Sequence, residues 1–234
     1  MTELDNPIAV RRTVSFCEAL HNGSQTVEGV TAQRIERAAD APHCWESDTI
    51  PVLPDPDNKA RDIVRPDVVV DAVMAKTNLG TSITDAELVI GLGPGFTAGA
   101  DVHCVVETNR GHYMGSLIFE GCAQPDTGVP GDLGGHSALR VLRAPTAGCF
   151  VSDYEIGTMV GQGEIVGSVN DQPVKALIDG ALRGLIKSGA IVGEGLKIGD
   201  VDPRGDPSYC ETVSEKARAI GGAVLEAVLM RFNR

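Results

Sequence analysis

Four glycines within nine residues, Gly91, Gly93, Gly95 and Gly99, constrain this chain more than any other feature. They follow the apolar run Leu88 to Leu92 and precede Val102, Val105 and Val106 at helical spacing, after which Ser116 to Glu120 return as a strand. The segment therefore reads as strand, glycine turn, helix and strand. Glycines in such a turn let backbone N–H groups approach an anion, and the helix that follows points its positive end at the same place. Gly93-Pro94-Gly95-Phe96-Thr97-Ala98 fits the degenerate G-x-G-x-x-G/A form of a dinucleotide fingerprint, with Glu120 where a ribose-binding acid belongs. Against that reading, Pro94 removes one backbone donor, and Phe96 and Thr97 crowd a pyrophosphate. A tight strand-to-helix turn in any α/β protein explains the same residues.

Two unequal units fit a chain of 234 residues, each large enough for its own core. The apolar runs are too short to cross a bilayer, so no membrane partner is expected. A formal charge of −12 disfavours a nucleic-acid surface, which needs clustered Lys and Arg. Small ligands or protein partners fit better. The six cysteines, Cys17, Cys44, Cys104, Cys122, Cys149 and Cys210, form no C-x-x-C pair, and no secretory signal precedes them. A reducing cytoplasm is the default compartment, and no metal site is expected from that spacing.

Met1 to Pro7 reads as the end of a strand with nothing upstream to pair with, either an ordinary short N-terminus or the interior of a larger fold. A helical pattern covers Ile8 to Asn22, with Arg11 and Arg12 at its start, where cations oppose the helix dipole and either have an anionic partner or are solvated or paired with acids such as Glu18. Gln25 to Thr31 reads as a strand and Ala32 to Asp40 as a helix, whereas the Pro- and Asp-rich segment from Asp40 to Asn58 reads as a loop. Asp67 to Ala72 is a continuous apolar strand, as expected where both faces are buried. With Leu88 to Leu92 it implies an open α/β sheet whose ligand crevice lies at the strands' carboxyl ends, next to Asp71, Lys76 and Asn78. Turn and capping chemistry accounts for those three equally well.

The Gly- and Pro-rich run from Gln124 to Gly135 marks a boundary. Beyond it, Arg140 to Asp202 alternates β-branched stretches with evenly spaced glycines, an all-β signature. Its halves echo each other, Ile156 to Glu164 paralleling Leu185 to Gly195, and this quasi-repeat resembles the barrel-sandwich fold of biotinyl and lipoyl carrier domains. A carrier needs a modifiable lysine at the tip of its central hairpin; Lys175 comes after Asn170-Asp171-Gln172-Pro173, so neither biotin nor lipoate is expected. Ser208 to Arg234 closes the chain as a helix with Ser214 as N-cap, and Gly221-Gly222 within it suggests a close backbone neighbour. The expected architecture is α/β: a partial Rossmann-like parallel sheet over residues 1–136, a barrel-sandwich β domain over 137–204, and a C-terminal helix over 205–234 packing on the α/β domain.

Seven segments in order, PIAVRRTVSF, VDAVMAKTNL, VIGLGPGFTAGADVHCVVETNRGH, FEGCAQPDTGVPG, ALIDGALRGLI, LKIGDVDPR and SEKARAIGGAVLEAVL, resemble the accessory, or maturation, proteins of the selenium-dependent molybdenum hydroxylase system. Members of that family look as though a further strand, glycine turn and helix precede the point that corresponds to Met1. The resemblance implies a role in maturing or supplying a molybdenum hydroxylase, with that enzyme or its maturation machinery as partner and a homo-oligomer as a further option. It fixes no reaction. A phosphate-bearing cofactor, molybdopterin or a nucleotide, would meet Gly91, Gly93, Gly95, Phe96, Thr97, Glu120 and Arg204. Cys104, Cys122 and Cys210 are the thiol candidates for sulfur or selenium chemistry, although buried cysteines commonly serve as small hydrophobes. Arg204 either grips an anion or satisfies Asp200 or Asp202, and His103 and Glu107 would share a helix face. The rival readings are a nucleotide-dependent oxidoreductase with a truncated site and a non-catalytic docking scaffold.

Overall fold

The computed structural model describes residues 1–128, 131 and 135–233, so residues 129, 130 and 132–134 of the Gly/Pro-rich run lie outside the described residues, as does 234. The described residues form a mixed α/β protein with four four-stranded sheets and a C-terminal helix. The chain divides into two units at positions other than those expected: residues 1–63 with 130–213, and residues 64–129 with 214–234.

In the first unit, β1 (Thr2–Glu3), β2 (Ser24–Val27), β3 (Val30–Arg34) and β4 (Ile50–Pro54) form a sheet in the order β1-β4-β3-β2. β1 and β3 each run parallel to β4. The N-terminus thus does find a strand to pair with, Thr2 facing Leu53. The segment from Asp40 to Asn58 is no loop: it holds α2 (Ala41–Glu46), which follows the short α1 (Ala19–Asn22), and then β4. Pro51 and Pro54 hide a strand whose Val52 and Leu53 are core residues. Only the last turn of the expected Ile8–Asn22 helix is α-helical; Arg12–Val14 and Phe16–Glu18 are 3₁₀ turns. The strand expected at Gln25 is a hairpin turning at Glu28 and Gly29, both with positive φ, and its second arm takes residues expected to be helical.

The second unit begins near α3 (Ala60–Val64) and holds β5 (Val68–Asp71), β6 (Leu88–Leu92), β7 (Cys104–Val106) and β8 (Leu117–Ile118) in that order. β5, β6 and β7 are parallel, and β8 is antiparallel to β7. β6 is buried along its whole length, whereas β5 is an edge strand and only partly covered. The helix expected after the glycine turn is absent. Val102 to Val106 instead lead into a fully buried strand, for which small apolar residues suit both faces and helical spacing is coincidental.

Back in the first unit, β9 (Val141–Arg143), β10 (Gly148–Val151), β11 (Met159–Val160), β12 (Ile165–Val169), β13 (Gln172–Lys175), β14 (Gly180–Leu185), β15 (Ile191–Val192) and β16 (Lys197–Asp202) form two antiparallel sheets. Their orders are β13-β12-β10-β15 and β9-β16-β14-β11. Adding four to each strand of the second order, and counting round from β16 to β12, gives the first. The repeat is one of 32 residues, since Gly148, Gly157 and Gly163 recur as Gly180, Gly189 and Gly195 with matching φ of 151° and 153°, 98° and 91°, 87° and 76°. Its bonds are exchanged in pairs: Gly157 N–H donates to Leu182 O and Gly189 N–H to Phe150 O, while Leu182 N–H donates to Thr158 O and Phe150 N–H to Ala190 O. Each sheet takes two strands from each repeat, and both repeats fill one core around Phe150, Leu182, Leu185 and Ile198.

The chain ends in α4 (Glu215–Phe232), in the second unit, where the Ser214 side chain caps by accepting from Ala217 N–H. Ala223 and Ala227 press α4 onto Leu88, Ile90, Leu92 and Val106, one face of the β5–β8 sheet. Nothing lies within 4 Å of a Cβ built on Gly221 or Gly222, so the close neighbour expected there is not found.

Candidate functional site

The carboxyl ends of β5, β6 and β7 gather three loops, and the glycine turn is what lets them nest. A Cβ on Gly95, whose φ is +115°, would lie 2.7 Å from the Thr77 backbone nitrogen, and one on Gly93 would lie 2.5 Å from Thr108 Oγ1. A Cβ on Gly91 would meet the Phe96 ring, also at 2.5 Å. Phe96 is not on the surface awaiting a ligand: it is 4% exposed and packs with Val89, Val102 and Val105 on the sheet's other face. These four residues are committed to packing.

The turn's backbone donors are also largely spent. Gly93 N–H donates to Val106 O, Ala98 N–H to Gly121 O, Gly99 N–H to Val102 O, and Ala100 and Asp101 N–H to Thr97 O. Thr97 N–H donates to the Asp101 carboxylate at 2.8 Å, where an anion of the protein already sits. No helix follows, so the positive dipole expected for phosphate is missing. Glu120 is displaced too, because antiparallel β8 runs from Leu117 opposite Val106 to Ile118 opposite Val105, away from the carboxyl edge. His103 and Glu107 share no helix face: His103 Nδ1 accepts from Val89 N–H, and the buried Glu107 carboxylate accepts from Asn109 and Gln124 N–H. Asp71 and Asn78 serve their own turns through Val73, Gly80 and Thr81.

Lys76, expected at this edge from the sequence, is joined there by two cations that the sequence reading left out, Arg110 and Lys216. Lys216, in the first turn of α4, is driven below its ordinary ammonium value by burial, by Arg110 and by Lys76; Glu107 and Asp126 oppose the shift. Arg110 is held by Glu215. Beside Lys216 a cleft of about 490 Å³ opens, with Met74, Leu92, Ile220 and Val224 as its apolar wall and Ser214 at its rim. Met74 and Lys76 hold φ of 61° and 67°, a region that non-glycine residues occupy at a cost of about 1–3 kcal/mol each, and such strain gathers at functional sites. An apolar wall beside converging cations can take a flat or aliphatic body with an anionic group at one end. Lys76 lies next to the glycine turn and Lys216 in a helix far along the chain, so only the fold pairs them.

The remaining candidates are dispersed. Cys104 is fully buried in β7, and burial raises its thiol pKa. Cys210, in the first unit, is 1% exposed; burial raises its pKa too, while Arg11 and Arg183 pull the other way. Cys122 is the exposed one, with its sulfur 3.5 Å from Thr97 Oγ1. Arg204 satisfies Asp202 through two side-chain hydrogen bonds and lies over the Tyr209 ring. Arg11 donates to the Tyr209 and Thr212 carbonyls, so its partners are backbone oxygens. Lys175 ends β13, at the far end of that strand from the Asn170-Asp171 turn. Among the described residues no group of three or more His, Cys, Asp or Glu is placed to hold a metal ion, and no helix is long and apolar enough to cross a membrane.

No family model matches the chain. The uncharacterized protein YqeB of Escherichia coli K12 is 48% identical over all 234 residues, and this chain spans 43% of its length. Among solved structures, an aspartoacylase family protein of Mesorhizobium loti is similar at 14% identity with a TM-score of 0.27, over 36% of this chain and 28% of its own. A succinylglutamate desuccinylase/aspartoacylase of Rhodobacter sphaeroides is similar at 23% identity with a TM-score of 0.25, over 28% and 22%. Likenesses so partial carry no weight for function.

Proposed function

We propose that this chain is an accessory factor for maturation of a selenium-dependent molybdenum hydroxylase, acting in the cytoplasm, and that its part in that work is to hold a phosphate-bearing cofactor. The seven ordered segments support the family, and the charge cluster of Lys76, Arg110 and Lys216 beside an apolar cleft carries the binding role. An ammonium kept partly out of water beside other cations is costly, and a phosphate arriving there would relieve that cost. The parallel strands β5 to β7 suit a Rossmann-like sheet that uses its carboxyl edge, and the two interleaved β sheets suit a barrel-sandwich module for docking the partner enzyme. The ligand's phosphate would meet these cations in place of the glycine-turn amides.

Equilibrium binding of molybdopterin, NAD and ATP to the chain and to Lys216→Ala tests the proposal. Loss of one charge-assisted contact should weaken the ligand that binds by about tenfold or more. No binding of any of the three by the unaltered chain would leave a docking scaffold. Equal binding by both forms would move the ligand away from this cleft.

A further inference from the structure

The 32-residue repeat supplies an internal control for what its scaffold needs. Val151, Ile165, Ser168, Asn170 and Gln172 in one copy become Arg183, Lys197, Asp200, Asp202 and Arg204 in the other, while Gly148, Gly157, Gly161, Gly163 and Gly167 recur as Gly180, Gly189, Gly193, Gly195 and Gly199 and the core pairs Phe150 and Leu182, Val166 and Ile198, and Val169 and Val201 stay apolar. The fold does not require these charges, since the twin edge does without them. Part of the charged set has a structural use: Arg183 and Arg204 meet Asp202, and Arg11 and Arg183 hold the carbonyls of the Pro207–Cys210 turn and its neighbours.

Three cations remain at the β9 and β16 edge. Lys197 lies directly opposite Arg143 across the two strands, a pairing of like charges that is normally destabilising. Arg140 joins them through Asp200, whose Oδ2 accepts from it at 3.0 Å while Lys197 Nζ lies 3.9 Å from Oδ1. Arg143 donates to the Gly195 carbonyl. One carboxylate therefore serves two of these cations, and the third rests on a backbone carbonyl, on a protein whose net charge is −12. At the twin edge the equivalent pair is Ile165 and Lys175, with Gln172 in place of a third cation.

We propose that Arg140, Arg143 and Lys197 form a second anion site, for a phosphate or pyrophosphate group, built onto one edge of an otherwise symmetric β module. Two guanidiniums and an ammonium match the three peripheral oxygens of a phosphate, and Asp200 positions Arg140 and Lys197 without neutralising the set. The site belongs to a different unit from the Lys216 cleft and does not depend on what that cleft binds. Burial lowers the Lys197 ammonium, and Arg140, Arg143 and Arg11 push it the same way against Asp200, so a bound dianion would return it to its ordinary range.

Titration calorimetry of the full chain with inorganic pyrophosphate and with ADP tests this, using Lys197→Ile, which restores the twin's residue, Arg143→Gln, and Lys216→Ala as the control for the other cleft. Pyrophosphate should still bind when Lys216→Ala has removed the other cleft's ammonium, and in that background Lys197→Ile and Arg143→Gln should each weaken the remaining binding by about tenfold. Tighter binding of ADP than of pyrophosphate would make a nucleotide the source of the phosphate; equal binding would make it a free or otherwise carried phosphate. Circular dichroism of Arg143→Gln, an exposed edge-strand change, keeps the result readable if Lys197→Ile folds poorly. Absence of binding, binding that only Lys216→Ala abolishes, or binding of polyglutamate but of neither phosphate compound would overturn the proposal.

Discussion

Asp202 is 1% exposed and faces two guanidiniums, with Arg204 Nη2 at 2.6 Å and Arg183 Nη1 at 3.3 Å. Burial alone would raise its pKa, but the hydrogen bonds from Arg204 and the charges of Arg204 and Arg183 outweigh that and hold it below the ordinary 3.8. A carboxylate with a depressed folded-state pKa contributes stability that is complete above its unfolded value and lost as pH falls through the folded one. The Asp202 contribution should therefore persist at pH 5 and disappear in strong acid. Asp202→Asn leaves the buried Arg183 charge short of its partner and should cost about 3–5 kcal/mol in urea unfolding at neutral pH, with the difference from the unaltered protein shrinking below the ordinary aspartate range. Arg204 could be read from its turn as either an anion grip or a partner of Asp202; the second is what the geometry contains. Phe96 was less legible, because an aromatic in a glycine loop looks the same in sequence whether it faces a ligand or closes a core.

At the scale of elements, the C-terminal helix was readable because a capping serine and apolar residues at helical spacing agree. Gly221 and Gly222 were misleading there, since glycine in a helix suggests a tight neighbour and none lies within 4 Å. Gly222→Ala should accordingly stabilise α4 by about 0.8–1 kcal/mol, seen as a higher thermal midpoint, whereas a hidden contact would make it destabilising. β7 and β4 were misread for opposite reasons. Val102, Val105 and Val106 satisfy a helical period by chance in a strand buried on both faces, where periodicity carries no information. In β4, prolines obscured an apolar core of only two residues, Val52 and Leu53, whose strand identity comes from the parallel neighbours on either side. Neither neighbour is adjacent in sequence.

The whole molecule was the least legible scale. Its two units are each discontinuous, so no local change of composition could mark where the chain leaves one for the other. The β region was the exception, because glycines needing positive φ repeat at a fixed interval and betray the duplication directly. Interleaving has an energetic consequence: neither half can open its strands without releasing those of the other. The amides of Phe150 and Leu182, whose bonds cross between the halves, should exchange with deuterium at one common opening free energy, and a difference of more than about 1 kcal/mol between them would show that the halves open separately.

That repeat also says something about history. A peptide carrying one copy, associating with a second identical peptide, could make all the strand pairings now found within this single chain, so the module has the form of an ancient twofold dimer whose subunits were later joined head to tail. Once joined, the copies were free to diverge. One could keep Val151, Ile165, Ser168, Asn170 and Gln172, while its twin took Arg183, Lys197, Asp200, Asp202 and Arg204 at the same places, a difference that only a joined chain can set on one side alone.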